Sequence, residues 1–157
     1  MSRERLTGAA YATALTTALT VVVIDEVTKT WARRALAHHQ VHVLGPLWLR
    51  LQFNSGVSFS ITPSGPLATT VVTAVVAMVI LGAALRARRG APAYVFGLML
   101  GGGVANVVDR LAASPHRVTD FIALGAFPVF NGADVAVTGG FIVLIVVALR
   151  GGTLLRR

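Results

Sequence analysis

Residues 67–85 read LATTVVTAVVAMVILGAAL and contain no charged residue. A helix needs ~20 mostly apolar residues to cross a hydrocarbon core about 30 Å thick, and this stretch nearly meets that length. Three further apolar stretches of similar length occur in the chain. The sequence therefore predicts an all-α polytopic membrane protein with four transmembrane helices, at about 7–28, 67–85, 91–110 and 131–150.

The composition supports the same conclusion. Hydrophobic residues make up 55% of the 157 residues, and only 13% are charged. A soluble domain of this size could not cover its surface with so few charges, so we expect one integral-membrane domain over residues 1–157. The chain has no cysteine, which excludes disulfides, thiolate metal sites and a cysteine nucleophile.

The basic residues indicate orientation rather than nucleic-acid binding. The net charge is +8, but most arginines flank apolar runs instead of forming one patch, and few aromatics lie among them. With the N-terminus inside, eight of the 14 basic residues are cytoplasmic: Arg3, Arg5, Arg86, Arg88, Arg89, Arg150, Arg156 and Arg157. We therefore expect both termini in the cytoplasm and no nucleic-acid partner.

Residues 41–61 have a different pattern. Apolar and polar residues partly alternate on both sides of Gly45 and Pro46. Alternation with a Gly-Pro break is typical of short strands or a hairpin. In the orientation above, this segment lies outside the cytoplasm, and Trp48, Phe53 and Phe59 suit the membrane surface.

The acidic residues gather at one side of the predicted membrane domain. Of six in the chain, five lie at or near the ends of apolar runs on the non-cytoplasmic side: Asp25, Glu26, Asp109, Asp120 and Asp134. An ionisable group near hydrocarbon is costly, and it is by default a candidate functional group. Their convergence predicts a polar site near the extracytoplasmic face.

Two clusters that contain these acidic residues could also have a purely structural role. Asp25 and Lys29 are four residues apart on one helix face, as in an ion pair that reaches the lipid headgroups. Asn106, Asp109 and Arg110 share a face, can bond one another and could hold helices together. The glycines before them, at 101–103, allow a neighbouring helix to approach closely.

The remaining candidates are equally open on spacing alone. Asn54 could belong to a turn, Asp120 to a surface turn, and Asp134 to the first helical turn after Asn131. Two carboxylates brought together away from water share a proton and can activate a water molecule for hydrolysis. Spacing does not identify which two aspartates pair.

Five sequence elements resemble those of the lipoprotein signal peptidase (signal peptidase II) family. They are DEVTK at 25–29, NSGVSF at 54–59, GGGVANVVDR at 101–110, VTDFI at 118–122 and FPVFNGAD at 127–134. They are similar to the family's D-x-x-T/S-K, N-x-G-x-x-F, G-G-x-x-G-N-x-x-D-R, V-V-D-F-I and F-P-x-F-N-x-A-D elements, in the same order.

The resemblance implies four transmembrane helices, a small extracytoplasmic β-cradle at about 41–61, and a catalytic dyad of Asp120 and Asp134. It implies supporting or substrate-binding roles for seven further residues: Asp25, Lys29, Asn54, Asn106, Asp109, Arg110 and Asn131. The implied substrate is a prolipoprotein in the cell membrane, cut just before its diacylglyceryl-bearing cysteine. We expect no metal and no other cofactor. We also expect that membrane lipids surround the protein and that it is a monomer.

The sequence departs from the family pattern at three places. Ala105 replaces a glycine, which predicts looser helix packing, and Thr119 replaces a valine. The stretch from Asp120 to Asp134 is shorter than usual, which affects the loop expected to grip substrate.

Two other classes of protein fit parts of the pattern: a small transporter or proton-coupled channel, and a noncatalytic scaffold. Carboxylates at one face rather than at mid-membrane favour the peptidase.

Overall fold

The computed structural model describes residues 3–56, 65–112 and 116–155, in which four helices and three strands occur. In chain order they are α1 (Arg3–Ala35), β1 (Val41–Leu44), β2 (Leu47–Asn54), α2 (Gly65–Ala84), α3 (Ala91–Ala112), β3 (Val118–Leu124) and α4 (Gly132–Leu149). Each helix contains a stretch long and apolar enough to cross a membrane. The predicted fold class, four such helices with a small β-element, is confirmed.

Helix α1 extends past the predicted end at residue 28 and finishes at Ala35. The predicted span covered the length needed to cross the membrane, while Asp25 and Lys29 were already placed on one face of this helix. Lys29 is completely buried against partners on α1 and α3, and Arg33 also bonds to α3. Because these charges are paired inside the protein, the helix continues.

The three strands form one antiparallel sheet in the order β1-β2-β3. The hairpin between β1 and β2 turns where the Gly-Pro break predicts it, and Gly45 has a φ of +50°, which favours glycine. Leu49 and Leu51 pack with Ala32 and Leu36 of α1. The last part of the predicted cradle, residues 57–61, lies outside the described residues.

Strand β3 was not predicted from its sequence. Four of its first residues in succession, Val118 to Phe121, are buried, so both faces of the strand are covered and the alternating pattern is lost. The strand pairs with β2, where Gln52 lies opposite Asp120. Asp120 is thus a buried strand residue, and its interpretation as a surface turn is wrong.

Helix α3 packs against each of the other three helices. An added Cβ on Gly101 would lie 2.6 Å from the carbonyl oxygen of Ala18 on α1, and one on Gly102 would lie 2.4 Å from that of Ala133 on α4. Close helix approach at the glycine run is therefore confirmed. Ala105 is fully buried, so its methyl group is accommodated inside the bundle.

Candidate active site

The polar residues singled out in the sequence come together at one end of the helix bundle. Asp120 and Asp134 and the seven predicted supporting residues all lie in one connected network of hydrogen bonds and ion pairs. Most of them are shielded from solvent. The network joins α1, α3, α4 and the sheet.

Asp120 is held on β3 with 1% of its surface exposed. Its Oδ1 accepts a hydrogen bond from Asn131 Nδ2 at 2.7 Å, and its Oδ2 accepts one from Asn54 Nδ2 at 3.1 Å. Burial, reinforced by the nearby charge of Asp134, raises the pKa of Asp120 to about 7, although the two amide donors oppose that rise. Asp120 can therefore exchange a proton near neutral pH.

Asp134 lies in the first turn of α4, next to the N-cap residue Asn131. The two form a capping box: Asn131 Oδ1 accepts from the Asp134 backbone N–H at 2.9 Å, and Asp134 Oδ2 accepts from the Asn131 N–H at 3.2 Å. The other carboxylate oxygen, Oδ1, accepts from Asn106 Nδ2 at 3.0 Å. The helix-cap interpretation is correct, and the same cap fixes the carboxylate beside Asp120.

Asn131 connects the two aspartates directly. Its side-chain amide donates to Asp120, while its backbone N–H donates to Asp134. It is completely buried. The relative position of the two carboxylates therefore depends on one rigid residue.

Lys29 lies behind the two aspartates and is 0% exposed. Its Nζ is 2.6 Å from Asp25 Oδ2 and 3.4 Å from Asp109 Oδ2, and it donates to Asn106 Oδ1 at 3.0 Å. The interpretation of Asp25 and Lys29 as a pair reaching the headgroups is wrong, because both side chains point into the bundle. Asp25 Oδ1 also accepts from the Ala133 N–H at 2.7 Å, which satisfies a free donor at the start of α4.

The three polar residues at the end of α3 do not bond one another through their side chains. Asn106 faces α1 and α4, and Asp109 accepts the Thr119 N–H of β3 at 2.5 Å. Arg110 donates to the Gly56 carbonyl at 2.9 Å and, at 3.4 Å, to the backbone oxygen of Asn106. The mutual bonding considered from the sequence is thus present in part, between Arg110 and the Asn106 backbone. The interpretation as polar contacts between helices is correct for Asn106, which joins α3 to α1 and α4.

Asn54 forms the turn considered from the sequence and also contacts Asp120. Its Oδ1 accepts the Gly56 N–H at 2.9 Å, which makes a turn after β2, and its Nδ2 donates to Asp120. The turn thereby fixes the amide that faces the carboxylate.

Two residues that the sequence did not single out as site residues also belong to the network. Arg33 Nη1 donates to Asp109 Oδ1 at 3.0 Å and to Thr119 Oγ1 at 2.9 Å. The available signal was the four-residue repeat Asp25, Lys29 and Arg33, which continues one helix face.

A cavity of about 650 Å³ opens beside the two aspartates. Asp120 and Asp134 line it together with apolar residues of α2 and α4, among them Val72, Val76 and Ile142. The arrangement places two carboxylates, of which Asp120 has a pKa near neutral, beside a largely apolar cavity lined by membrane helices.

The sequence matches a described family over most of its length. The family model described as signal peptidase (SPase) II matches residues 17–150. The chain belongs to the signal peptidase II family. It is therefore a membrane aspartic peptidase, and signal peptidase II enzymes cleave the signal peptides of prolipoproteins.

Individual relatives agree with that assignment. The lipoprotein signal peptidase of Mycolicibacterium smegmatis is 39% identical over 87% of this chain, and the match spans 61% of the relative. The lipoprotein signal peptidase of Mycobacterium avium is 36% identical over 87% of this chain and 79% of the relative. A bacterial membrane enzyme structure determined in meso at 2.3 Å has a TM-score of 0.78 at 26% identity, covering 88% of both chains.

Proposed function

We propose that this signal peptidase II uses Asp120 and Asp134 as a dyad that activates water and cuts a prolipoprotein just before its diacylglyceryl-bearing cysteine. The observation that carries the proposal is the single residue between them: buried Asn131 donates to both carboxylates. Both also line the same cavity. The ionised carboxylate takes a proton from water while the protonated one polarises the scissile carbonyl.

The surrounding residues support the dyad in distinct ways. Asn54, Asn106 and Asn131 fix carboxylate oxygens with amide donors. Lys29, which is bonded to Asn106, places a positive charge behind the pair. These contacts hold the carboxylates in place before substrate arrives, which is the preorganisation that catalysis needs.

Two further residues support the loop and strand around the site. Arg110 donates to the backbone at Gly56 and also lines the cavity, where it can contact the substrate. Asp109 accepts the backbone N–H of Thr119 and so helps to hold the strand that carries Asp120.

The apolar part of the cavity fits a lipid-modified substrate. Residues of α2 and α4 line it, and both helices are apolar enough to span a membrane. A groove of this kind can take acyl chains or the apolar signal segment while the cleavage site reaches the dyad. All of the named groups come from one chain, so we propose that the enzyme works as a monomer.

We propose that both termini face the cytoplasm and that the dyad lies near the extracytoplasmic face of the bacterial cell membrane. Near the opposite end of the bundle, Ala10, Ala87 and Leu154 pack together, which brings the start of α1, the α2–α3 turn and the C-terminal segment to one end. The turn carries Arg86, Arg88 and Arg89, as expected of a short cytoplasmic loop. Reporter fusions after residues 89 and 157 should read cytoplasmic, and one near residue 46 should read extracytoplasmic.

The dyad is tested by Asp120→Asn and Asp134→Asn, assayed on a diacylated prolipoprotein in detergent by mass shift. Each should lower turnover by ~10²–10⁴-fold or more, because Asn cannot supply the base or the shared proton. Glu26→Gln is the matched control. It lies at the same end, 3.9 Å from Arg33, and should stay within a few-fold of the parent. Near-normal turnover in either aspartate variant would overturn the dyad.

A further inference from the structure

Three elements meet at one guanidinium group next to the site. Arg33 of α1 donates through Nη1 to Asp109 on α3 at 3.0 Å and to the Thr119 hydroxyl on β3 at 2.9 Å. Its Nη2 donates to Thr30 Oγ1, one turn earlier on α1, at 3.0 Å. The guanidinium is a rigid, planar fork, so these bonds fix the distance of β3 from both helices.

The hydroxyl, the backbone N–H and the carbonyl oxygen of Thr119 all have hydrogen-bond partners. Thr119 is 2% exposed, and its N–H donates to Asp109 Oδ2 at 2.5 Å. Its carbonyl oxygen accepts from Asn131 Nδ2 at 3.4 Å. Because successive strand residues point to opposite faces, the Thr119 hydroxyl bonds to Arg33 while the next residue, Asp120, lines the cavity.

We infer that Arg33 and Thr119 form a brace that positions Asp120 for catalysis. The inference rests on the proposed role of Asp120 in the dyad. The hydroxyl stands where VTDFI departs from V-V-D-F-I, so the brace is a feature of this sequence. Neither residue lines the cavity that Asp120 and Asp134 share. Both are positioning residues, acting through the strand.

The brace has a kinetic signature. Displacement of a catalytic group by a fraction of an ångström slows the chemical step, whereas the substrate groove is untouched. Loss of the brace should therefore lower kcat and leave KM unchanged. Loss of one hydrogen bond corresponds to about a three- to tenfold effect, and a larger one is expected for Arg33, which also bonds Asp109.

The decisive comparison is Thr119→Val against Thr119→Ser. Valine keeps the branched shape and suits a strand but lacks the hydroxyl, whereas serine keeps the hydroxyl. We expect kcat to fall about three- to tenfold in the valine variant, with KM within twofold, and to return close to the parent value in the serine variant. Arg33→Gln should lower kcat by at least as much. Arg34→Gln, a change at the exposed neighbouring arginine, should leave kcat unchanged.

A double-mutant cycle identifies the pair as one unit. If Arg33 acts through the Thr119 hydroxyl, Arg33→Gln combined with Thr119→Val should be no slower than the slower single variant. Fully multiplicative losses would overturn the brace. Equal kcat in the valine and serine variants, or a raised KM with parental kcat, would also overturn it.

Two controls keep the test interpretable. If Arg33→Gln does not fold, the valine and serine variants decide the question alone. The Asp120→Asn variant separates this inference from the proposed dyad. If Asp120→Asn keeps its turnover, the dyad assignment fails; if it is inactive and Thr119→Val matches Thr119→Ser, only the brace fails.

Discussion

The contact between α1 and α3 uses different chemistry at its two ends. In its first half, small residues of α1, Ala14 and Ala18, lie against Gly97 and Gly101. In its second half, buried Lys29 joins the two helices through charge. Lipid tails are as apolar as the side chains, so helices in a membrane gain little from hydrophobic burial and depend on close packing or on polar bonds. The first half provides rigidity without chemistry, and the second provides the setting for the carboxylates.

The second half of this contact, around Lys29, is its polar end, and the first half is its small-residue end. The largest expected effect follows removal of the Lys29 charge. Lys29→Met leaves Asp25 and Asp109 buried with one fewer cation, and breaking a buried pair in this way costs about 3–5 kcal/mol. The free energy of unfolding in detergent should fall by that order. Adding Asp25→Asn should restore part of the loss, because it removes one unpaired charge. A single variant as stable as the parent would show that Lys29 does not hold this end together.

The next effect is a pH dependence that should arise at the polar end. The pKa of Asp120 is about 7 in the folded protein against 3.8 for the unperturbed group. Between these values the folded state holds a proton that the unfolded state has lost, so this contribution to stability is full below about pH 4 and is lost as pH rises through about 7. The largest possible change is about 4 kcal/mol.

Asp120→Asn isolates the contribution of Asp120 to the pH dependence of stability, because the amide does not titrate. The stability of the parent relative to the variant should fall between pH 4 and pH 7 and level off above that range, as measured by chemical unfolding at fixed salt. Parallel curves for the two proteins would contradict a raised pKa at Asp120.

A smaller effect is expected at the small-residue end. Gly101→Ala places a methyl group 2.6 Å from the Ala18 carbonyl oxygen and 2.7 Å from Val21 Cβ, so the helices must separate, at a cost of about 1–3 kcal/mol. Gly103→Ala is the control on the same helix, because its nearest neighbour would be Ala77 Cβ at 3.5 Å. That variant should be neutral or more stable by up to about 1 kcal/mol. Equal losses in both would indicate a general intolerance of α3 rather than a close α1 contact.

The sequence predicts the features that depend on local spacing. Hydropathy predicts the four helices because each must supply its own apolar length. A four-residue step pairs Asp25 with Lys29, and a three-residue step makes Asn131 the cap for Asp134. The direction of those side chains, into the bundle rather than toward the headgroups, depends on where α3 and α4 lie.

Long-range contacts cannot be obtained in this way. The bond from Thr119 to Asp109 joins a strand that has no alternating pattern to a helix. The bond from Arg33 to Thr119 joins residues 86 positions apart. Spacing brings five acidic residues to one side but does not rank them, and the choice of Asp120 and Asp134 depended on resemblance to a family. The structure adds a contact that spacing cannot show: Asn131 donates hydrogen bonds to both Asp120 and Asp134.

The smallest expected effect is that of a chelator, and it tests whether the polar end acts through protons alone. Amide donors occupy the carboxylate oxygens: Asn54 and Asn131 face Asp120, while Asn106 and the Asn131 backbone face Asp134. An N–H donor directed at an oxygen stabilises its negative charge but repels a cation, which needs free oxygen or nitrogen lone pairs. Across residues 3–56, 65–112 and 116–155, no group of three histidine or acidic side chains is placed to bind a metal. The turnover rate of the purified enzyme should therefore be unchanged after chelation. Its pH profile should be bell-shaped, because a dyad that shares one proton needs one carboxylate protonated and the other ionised. Loss of activity on chelation with recovery on added zinc would show that the polar end binds a metal and that a proton-sharing dyad is not sufficient.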